Sequence, residues 1–168
     1  MADYKPTPED IARFLYYISQ NESSGGKNIN HKTETSGLHA GDTAMGAYGL
    51  MPKTREDAIK AHPNRLSENS SNDDVAKALA GDILQKAGGD ETLAAGMWRK
   101  GQYVPKEQWE DLKNSGYTQA YEKNRKSLPA ALDTNPYLQE KEKNVVDMDK
   151  ALQPETDQFP LLTRLIKP

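Results

Sequence analysis

Cysteine is absent from this chain of 168 residues. Disulfide frameworks, thiolate nucleophiles and thiolate metal sites are therefore excluded. No run of apolar residues approaches the roughly 18 that a membrane-spanning helix needs, so no membrane span is expected. A basic excess is also missing, with 22 Lys and Arg against 25 Asp and Glu, and this balance disfavours a nucleic-acid partner.

Histidine is scarce, which argues against a metal centre. The three histidines, His31, His39 and His62, are too scattered to indicate a zinc site. His31 and His39 share one loop, but no further residue completes a ligand spacing around them. We therefore expect no metal and no cofactor.

The residues that are present predict a helix near the start of the chain. Thr7 is a suitable N-cap, and Pro8 suits the first helical position. One apolar face follows, made of Ile11, Phe14, Leu15 and Ile18 at the 3.6-residue spacing. The Gly-, Asn-, Ser- and Thr-rich segment 23–45 then predicts a long loop or a small β-hairpin.

The rest of the chain predicts further helices and a tail. Helix starts are predicted at Thr54, Asn72 and Asp90, with two more helices over 105–113 and 117–127. Gly101 is expected to end the helix that starts at Asp90. Proline punctuates residues 129–168, where only 144–152 has a helical pattern. The predicted fold is mainly α, with a body over 1–128 and an extended C-terminal tail over 129–168 that packs on the body or binds a protein partner.

Glu22 continues the apolar face of the first helix by one more turn. A carboxyl group is rarely buried unless it is paired with another group or has a function. Burial also favours its protonated form, which can donate a proton to a leaving group. The Ser-Ser-Gly-Gly segment 23–26 ends the helix and leaves room for a ligand. On the pattern alone, a glutamate that points into solvent past a frayed helix end is the simpler interpretation.

A second pattern favours a functional role for Glu22. Residues 21–25, Asn-Glu-Ser-Ser-Gly, and 46–54, Gly-Ala-Tyr-Gly-Leu-Met-Pro-Lys-Thr, closely resemble the soluble lytic transglycosylases of the lysozyme superfamily. Further matches in the family's order are Gly-Gly-Asp-Glu-Thr-Leu-Ala-Ala at 88–95, Trp-Arg-Lys-Gly at 98–101 and Tyr-Glu-Lys at 121–123. The resemblance covers about residues 8–127 and implies a lysozyme-like helical domain.

The resemblance implies an enzyme that cleaves the β-1,4 bond between N-acetylmuramic acid and N-acetylglucosamine in peptidoglycan. Glu22 would protonate the glycosidic oxygen and then, as a carboxylate, accept the proton of the C6 hydroxyl, so that a 1,6-anhydro ring closes. The substrate's N-acetyl group would stabilise the developing positive charge. The partner is then a peptidoglycan glycan strand.

The same resemblance implies the residues that bind the substrate: Ser23, Gly46, Tyr48, Gly49, Met51, Trp98 and Tyr121. Ser23 orients the substrate or Glu22, or else caps the helix. The two glycines supply special backbone angles or a close approach to sugar, while Tyr48 and Met51 line the cleft, with core packing as the alternative for Met51. Trp98 stacks on a sugar or is buried in the core.

A phenol is expected to hydrogen-bond to Glu22. Tyr121 is the predicted donor, and Tyr117, four residues earlier on the same helix face, is the residue with which it is most easily confused. The chain departs from the family pattern at the glutamine that should follow Leu-Met, since Pro52 comes directly after Met51. Arg99 and Lys100 also stand where the family has Asn and a small residue.

Two alternatives remain open from the sequence. If Glu34 or Asp42 reaches across the cleft, it could activate a water, and the enzyme would be a muramidase of goose-type-lysozyme character. A catalytically weak structural or virion component on the same fold is the other alternative. No export signal is visible in the first residues, so we expect action on the cell wall, in the periplasm or outside the cell, after delivery with a phage particle, release at lysis or a non-standard secretion route.

Overall fold

Six α-helices account for most of the chain that the structure describes. The structure is a computed structural model, and it describes residues 4–35, 41–101 and 104–128. The helices are α1 (Pro8–Ser23), α2 (Pro52–Ala61), α3 (Asn72–Lys86), α4 (Glu91–Lys100), α5 (Trp109–Lys113) and α6 (Gly116–Ser127), and a 3-10 turn, Lys106–Gln108, precedes α5. None of these helices is long and apolar enough to cross a membrane. The expectation of a mainly helical fold is confirmed.

Side-chain caps fix several of the predicted helix starts. The Thr7 hydroxyl accepts a hydrogen bond from the Asp10 amide at 3.2 Å, and the Asp10 carboxylate accepts one from the Thr7 amide at 3.0 Å. Ser71 and Asp74 form the same reciprocal box at the start of α3. These caps satisfy amides that the first turn leaves without partners, so the helix starts could be read from the sequence.

Two predicted boundaries are wrong. The second helix begins at Pro52 rather than at Thr54, because proline already has the helical φ angle and needs no amide partner at the first position. The segment 105–113 divides into the 3-10 turn and the short α5. The tail over 129–168, including the predicted helix at 144–152, lies outside the described residues.

The long loop after α1 is a small irregular hairpin. Thr33 and Thr43 form an isolated antiparallel bridge, and Met45 and Leu50 form a second one. The Glu34 amide donates to the Asp42 carbonyl at 2.8 Å, which holds the two arms together. The described residues of this loop contain isolated bridges but no strand.

The core forms around α1, which packs against α3 and α6. The predicted apolar face is confirmed: Phe14, Leu15 and Ile18 are at most 1% exposed, and Ile11 packs half-buried at its edge. Phe14 contacts the Trp98 ring edge-on, with centroids 5.9 Å apart. This packing fixes the orientation of the last turn of α1.

A partly buried ionic cluster joins α1, α4 and α6. Arg13 donates to Glu91 Oε1 from Nε at 2.8 Å and from Nη2 at 2.6 Å. The Tyr121 hydroxyl donates to Glu91 Oε2 at 3.2 Å, and the Arg125 guanidinium lies 3.7 Å from the same oxygen. Glu91 is only 9% exposed, and these contacts provide partners for both of its carboxylate oxygens.

We expect Glu91→Ala to lower the free energy of unfolding by about 2 kcal/mol, because it leaves the Arg13 charge and the Tyr121 hydroxyl without their acceptor. Glu110→Ala is the control, since Glu110 is exposed on α5 and its removal should cost less than about 0.5 kcal/mol. Urea unfolding of both variants measures the difference. Equal losses would contradict a stabilising role for the cluster.

Candidate active site

A cleft of about 710 Å³ lies beside the last turn of α1. Its walls come from residues 31–34 and 49–51, from α2 and from the end of α4, and its apolar floor includes Leu79, Ile83 and Met97. This volume lies within the range of roughly 300–1,000 Å³ that is typical of small-molecule sites. Glu22 contributes a carboxyl group to the lining, as its position on the α1 face predicts.

The Glu22 carboxyl group receives a hydrogen bond from α6. The Tyr117 hydroxyl donates to Glu22 Oε1 at 2.7 Å. Burial raises the pKa of Tyr117 well above its usual value, and the negative charge of Glu22 and the hydrogen bond to it act in the same direction. Tyr117 therefore remains a protonated donor at any physiological pH and fixes one orientation of the carboxyl group.

The predicted contact between Tyr121 and Glu22 is wrong. Tyr121 is fully buried and donates to Glu91 instead, in the cluster described above. The two phenols lie one helical turn apart, so sequence spacing could not separate them. The start of α6 decides between them: Ser115 caps it, and the buried Thr118 hydroxyl contacts the Leu112 carbonyl at 3.0 Å.

The orientation of α6 relative to α1 is held by asparagines. Asn124 Nδ2 donates to Asn21 Oδ1 at 2.6 Å, and Asn21 Nδ2 donates to the Tyr117 carbonyl at 3.3 Å. Asn21 directly precedes Glu22, and it bonds to the backbone of Tyr117, which is the residue that donates to Glu22. These hydrogen bonds therefore help to hold Glu22 and Tyr117 next to each other. This arrangement limits relative sliding of the two helices.

Gly49 lies directly against the carboxyl group. A Cβ atom at this position would lie 2.7 Å from Glu22 Oε2 and 3.1 Å from its Cδ, and the glycine has φ +62°. The positive φ favours glycine, and an added Cβ would force the Glu22 carboxyl group to move. The special backbone angle predicted for Gly49 is confirmed, and the group close to this glycine is the Glu22 carboxyl group.

Ser23 is part of the scaffold and does not line the cleft. Its hydroxyl is buried, accepts from the Gly26 amide at 2.8 Å and is shared between the carbonyls of Ala47, at 2.7 Å, and Ser19, at 3.0 Å. The interpretation of Ser23 as a substrate contact is wrong, and its alternative at the helix end agrees with the structure. Ser23 joins the turn after α1 to the segment that carries Gly49.

Tyr48 is also a core residue, so its predicted position in the cleft lining is wrong. Its ring is fully buried, and its carbonyl accepts a hydrogen bond from Trp98 Nε1 at 3.2 Å. Trp98 is half-buried and does line the cleft, as does Met51. The tryptophan is therefore held by Phe14 and Tyr48 while part of it faces the open space.

The loop residues divide between the cleft and the scaffold. Gly46 has the predicted positive φ, at +68°, but does not line the cleft; its carbonyl accepts from His31 Nε2 at 2.7 Å. Glu34 lines the cleft and Asp42 does not. His39 lies outside the described residues.

Four cationic side chains of the cleft were not predicted as site residues: Lys32, Lys53, Arg99 and Lys100. Arg99 and Lys100 had a signal in the sequence, since they interrupt the family pattern at 98–101. Lys32 and Lys53 had none, because charged residues in loops and first turns are common on any surface. Only the folded chain brings these charges to one cleft.

Comparison with known proteins gives no match: no family model, no curated protein and no solved structure is similar to this chain. The geometry of the cleft and the sequence motifs are therefore the observations that bear on function.

We expect Gly49→Ala to break the hydrogen bond between Tyr117 and Glu22, because the added methyl group would occupy the place of the carboxyl group. Gly88→Ala is the matched control, with a similar φ of +65° and open space around the added atom. Both variants should lose about 1 kcal/mol of unfolding free energy from the left-handed backbone. Crystal structures of both should show the two oxygens separated only in Gly49→Ala; an intact contact there would contradict the assigned role.

Proposed function

We propose that the protein is a peptidoglycan lytic transglycosylase with a lysozyme-like helical domain. The observation that carries the proposal is the Glu22 carboxyl group, which lies in the cleft, accepts from Tyr117 at 2.7 Å and packs against the backbone of Gly49. The motifs at 21–25 and 46–54 support it as well, because they are the segments that form this arrangement. The substrate would be the glycan strand of the cell wall.

The mechanism needs one ionisable group that acts twice. Glu22 donates its proton to the glycosidic oxygen as the bond to C1 of the muramic acid breaks, and the acetamido group stabilises the positive charge. The resulting carboxylate accepts the proton of the C6 hydroxyl while that oxygen bonds to C1. The leaving strand gains one proton, the anhydro ring forms, and Glu22 returns to its starting state.

Tyr117 supports both stages without exchanging its own proton. Its hydrogen bond strengthens when Glu22 is a carboxylate, because hydrogen bonds to ionised acceptors are the stronger ones. The half-buried Trp98 ring offers an apolar face beside the reacting group, suited to packing against a sugar ring.

A muramidase is the second candidate, and Glu34 is the observation that favours it. Glu34 lines the same cleft as Glu22, so a water bound between them could attack C1. Mass spectrometry of the released muropeptides distinguishes the two reactions, because the anhydro product is lighter than the hydrolysis product by one water.

Glu22→Gln is expected to abolish cleavage of purified sacculi and to leave the thermal unfolding temperature nearly unchanged. The amide keeps the shape of the side chain and can still accept from Tyr117, but it has no proton to transfer. Release of soluble muropeptides measures the activity. Asp57→Asn, on the α2 wall, is the matched control; digestion by Glu22→Gln at the parent's rate would contradict the proposal.

Tyr117→Phe should lower turnover about tenfold, because the carboxylate formed in the reaction loses a charge-assisted hydrogen bond. Tyr121→Phe, one turn along the same helix, should keep the parent's turnover and lose about 1 kcal/mol of unfolding free energy. Sacculus digestion and urea unfolding of both variants measure the contrast. Reversed effects would restore Tyr121 as the partner of Glu22.

A further inference from the structure

The charges of the cleft differ from those of the chain. Four cationic side chains and three carboxylates line it, whereas the chain as a whole has a net charge of −3. The carboxylates are Glu22, Glu34 and Asp57. A groove that only binds neutral sugars has no need for this concentration of cations.

Not all of these cations are available to a ligand. Lys53 is paired with Asp57 along α2. Within the ranges that the structure describes, Lys32, Arg99 and Lys100 form no ion pair. Among the cations of the cleft, those without an ion pair are therefore the two at the end of α4 and Lys32 in the loop after α1.

Arg99 and Lys100 occupy the last turn of α4, directly after Trp98. Both are exposed, and both line the cleft that Glu22 lines. Arg99 also lies close enough to Tyr117 that its positive charge acts against the rise in the pKa of that phenol. Arg99 therefore lies near the pair formed by Glu22 and Tyr117, and Lys100 lines the same cleft.

We propose that Arg99 and Lys100 bind carboxylate groups on the glycan strand, so that the cleft selects anionic strands over neutral ones. A guanidinium group pairs with carboxylates through two parallel N–H donors, and the neighbouring ammonium adds a second charge. The carboxylates can come from the lactyl group of the muramic acid or from the peptide stem attached to it. This inference depends on the proposed function, because that function supplies the strand.

A simpler role exists for cations at the end of a helix. Lys and Arg in a last turn stabilise the helix by interacting with the negative end of its dipole. That role predicts a small loss of stability on removal of the charges and no change in ligand preference. Removing the same number of cations from two helix ends, one in the cleft and one outside it, therefore distinguishes ligand binding from stabilisation of the helix.

The test measures binding in the Glu22→Gln protein, which is expected to hold substrate without turning it over. Fluorescence titration uses three probes: peptide-bearing strands, amidase-stripped strands that retain the lactyl carboxylate, and a chito-oligosaccharide without carboxylates. We expect the best anionic probe to bind about fivefold more tightly than the neutral one at low salt, and less so at high salt. The two anionic probes distinguish the lactyl group from the stem.

Adding Arg99→Gln and Lys100→Gln should remove this preference. The control adds Lys123→Gln and Lys126→Gln instead, which removes the same charge from the exposed end of α6, outside the cleft. This control should keep the preference for anionic probes. Three results would overturn the inference. They are a preference that remains after Arg99→Gln and Lys100→Gln, equal binding of the neutral and anionic probes, and no binding of any probe. Failure to digest sacculi by the parent protein would instead contradict the proposed function, so the two failures are distinguishable.

Discussion

The contact between the Tyr117 hydroxyl and the Glu22 carboxyl group is the interaction on which the candidate site depends. A carboxyl group at the end of a helix has two rotatable bonds beyond Cβ and would otherwise sample many positions. Here Tyr117 holds one oxygen at 2.7 Å, and the other oxygen lies where a side chain at Gly49 would begin. The result is a carboxyl group with a fixed direction at the wall of the cleft.

Much of the remaining structure serves to keep these three residues together. Ser23 joins the end of α1 to the loop that carries Gly49, and Asn21 joins the same turn to α6. At the first residue of α4, the Glu91 cluster ties α1, α4 and α6 by charge, whereas in the site a neutral donor on α6 bonds to α1. The helices that form the site are therefore fixed at two separate places.

The predicted roles of Ser23, Tyr48 and Tyr121 are wrong for the same reason. Each belongs to a motif that the sequence marks as functional, and each is buried and bonded within the protein. A motif reports that a local shape is required, but a residue can meet that requirement by contacting a ligand or by shaping the backbone behind the site. Burial distinguishes the two, and burial is a property of the assembled helices.

The sequence by itself determined the helical class, the N-terminal caps, the apolar face of α1 and the position of Glu22 at its end, because these depend on neighbours within one or two turns. Even the need for glycine at 46 and 49 is a local backbone property. Only the tertiary structure decided that Tyr117 rather than Tyr121 meets Glu22, and that Lys32, Arg99 and Lys100 share its cleft. Those contacts join segments up to 95 residues apart, and the relative rotation of packed helices sets them.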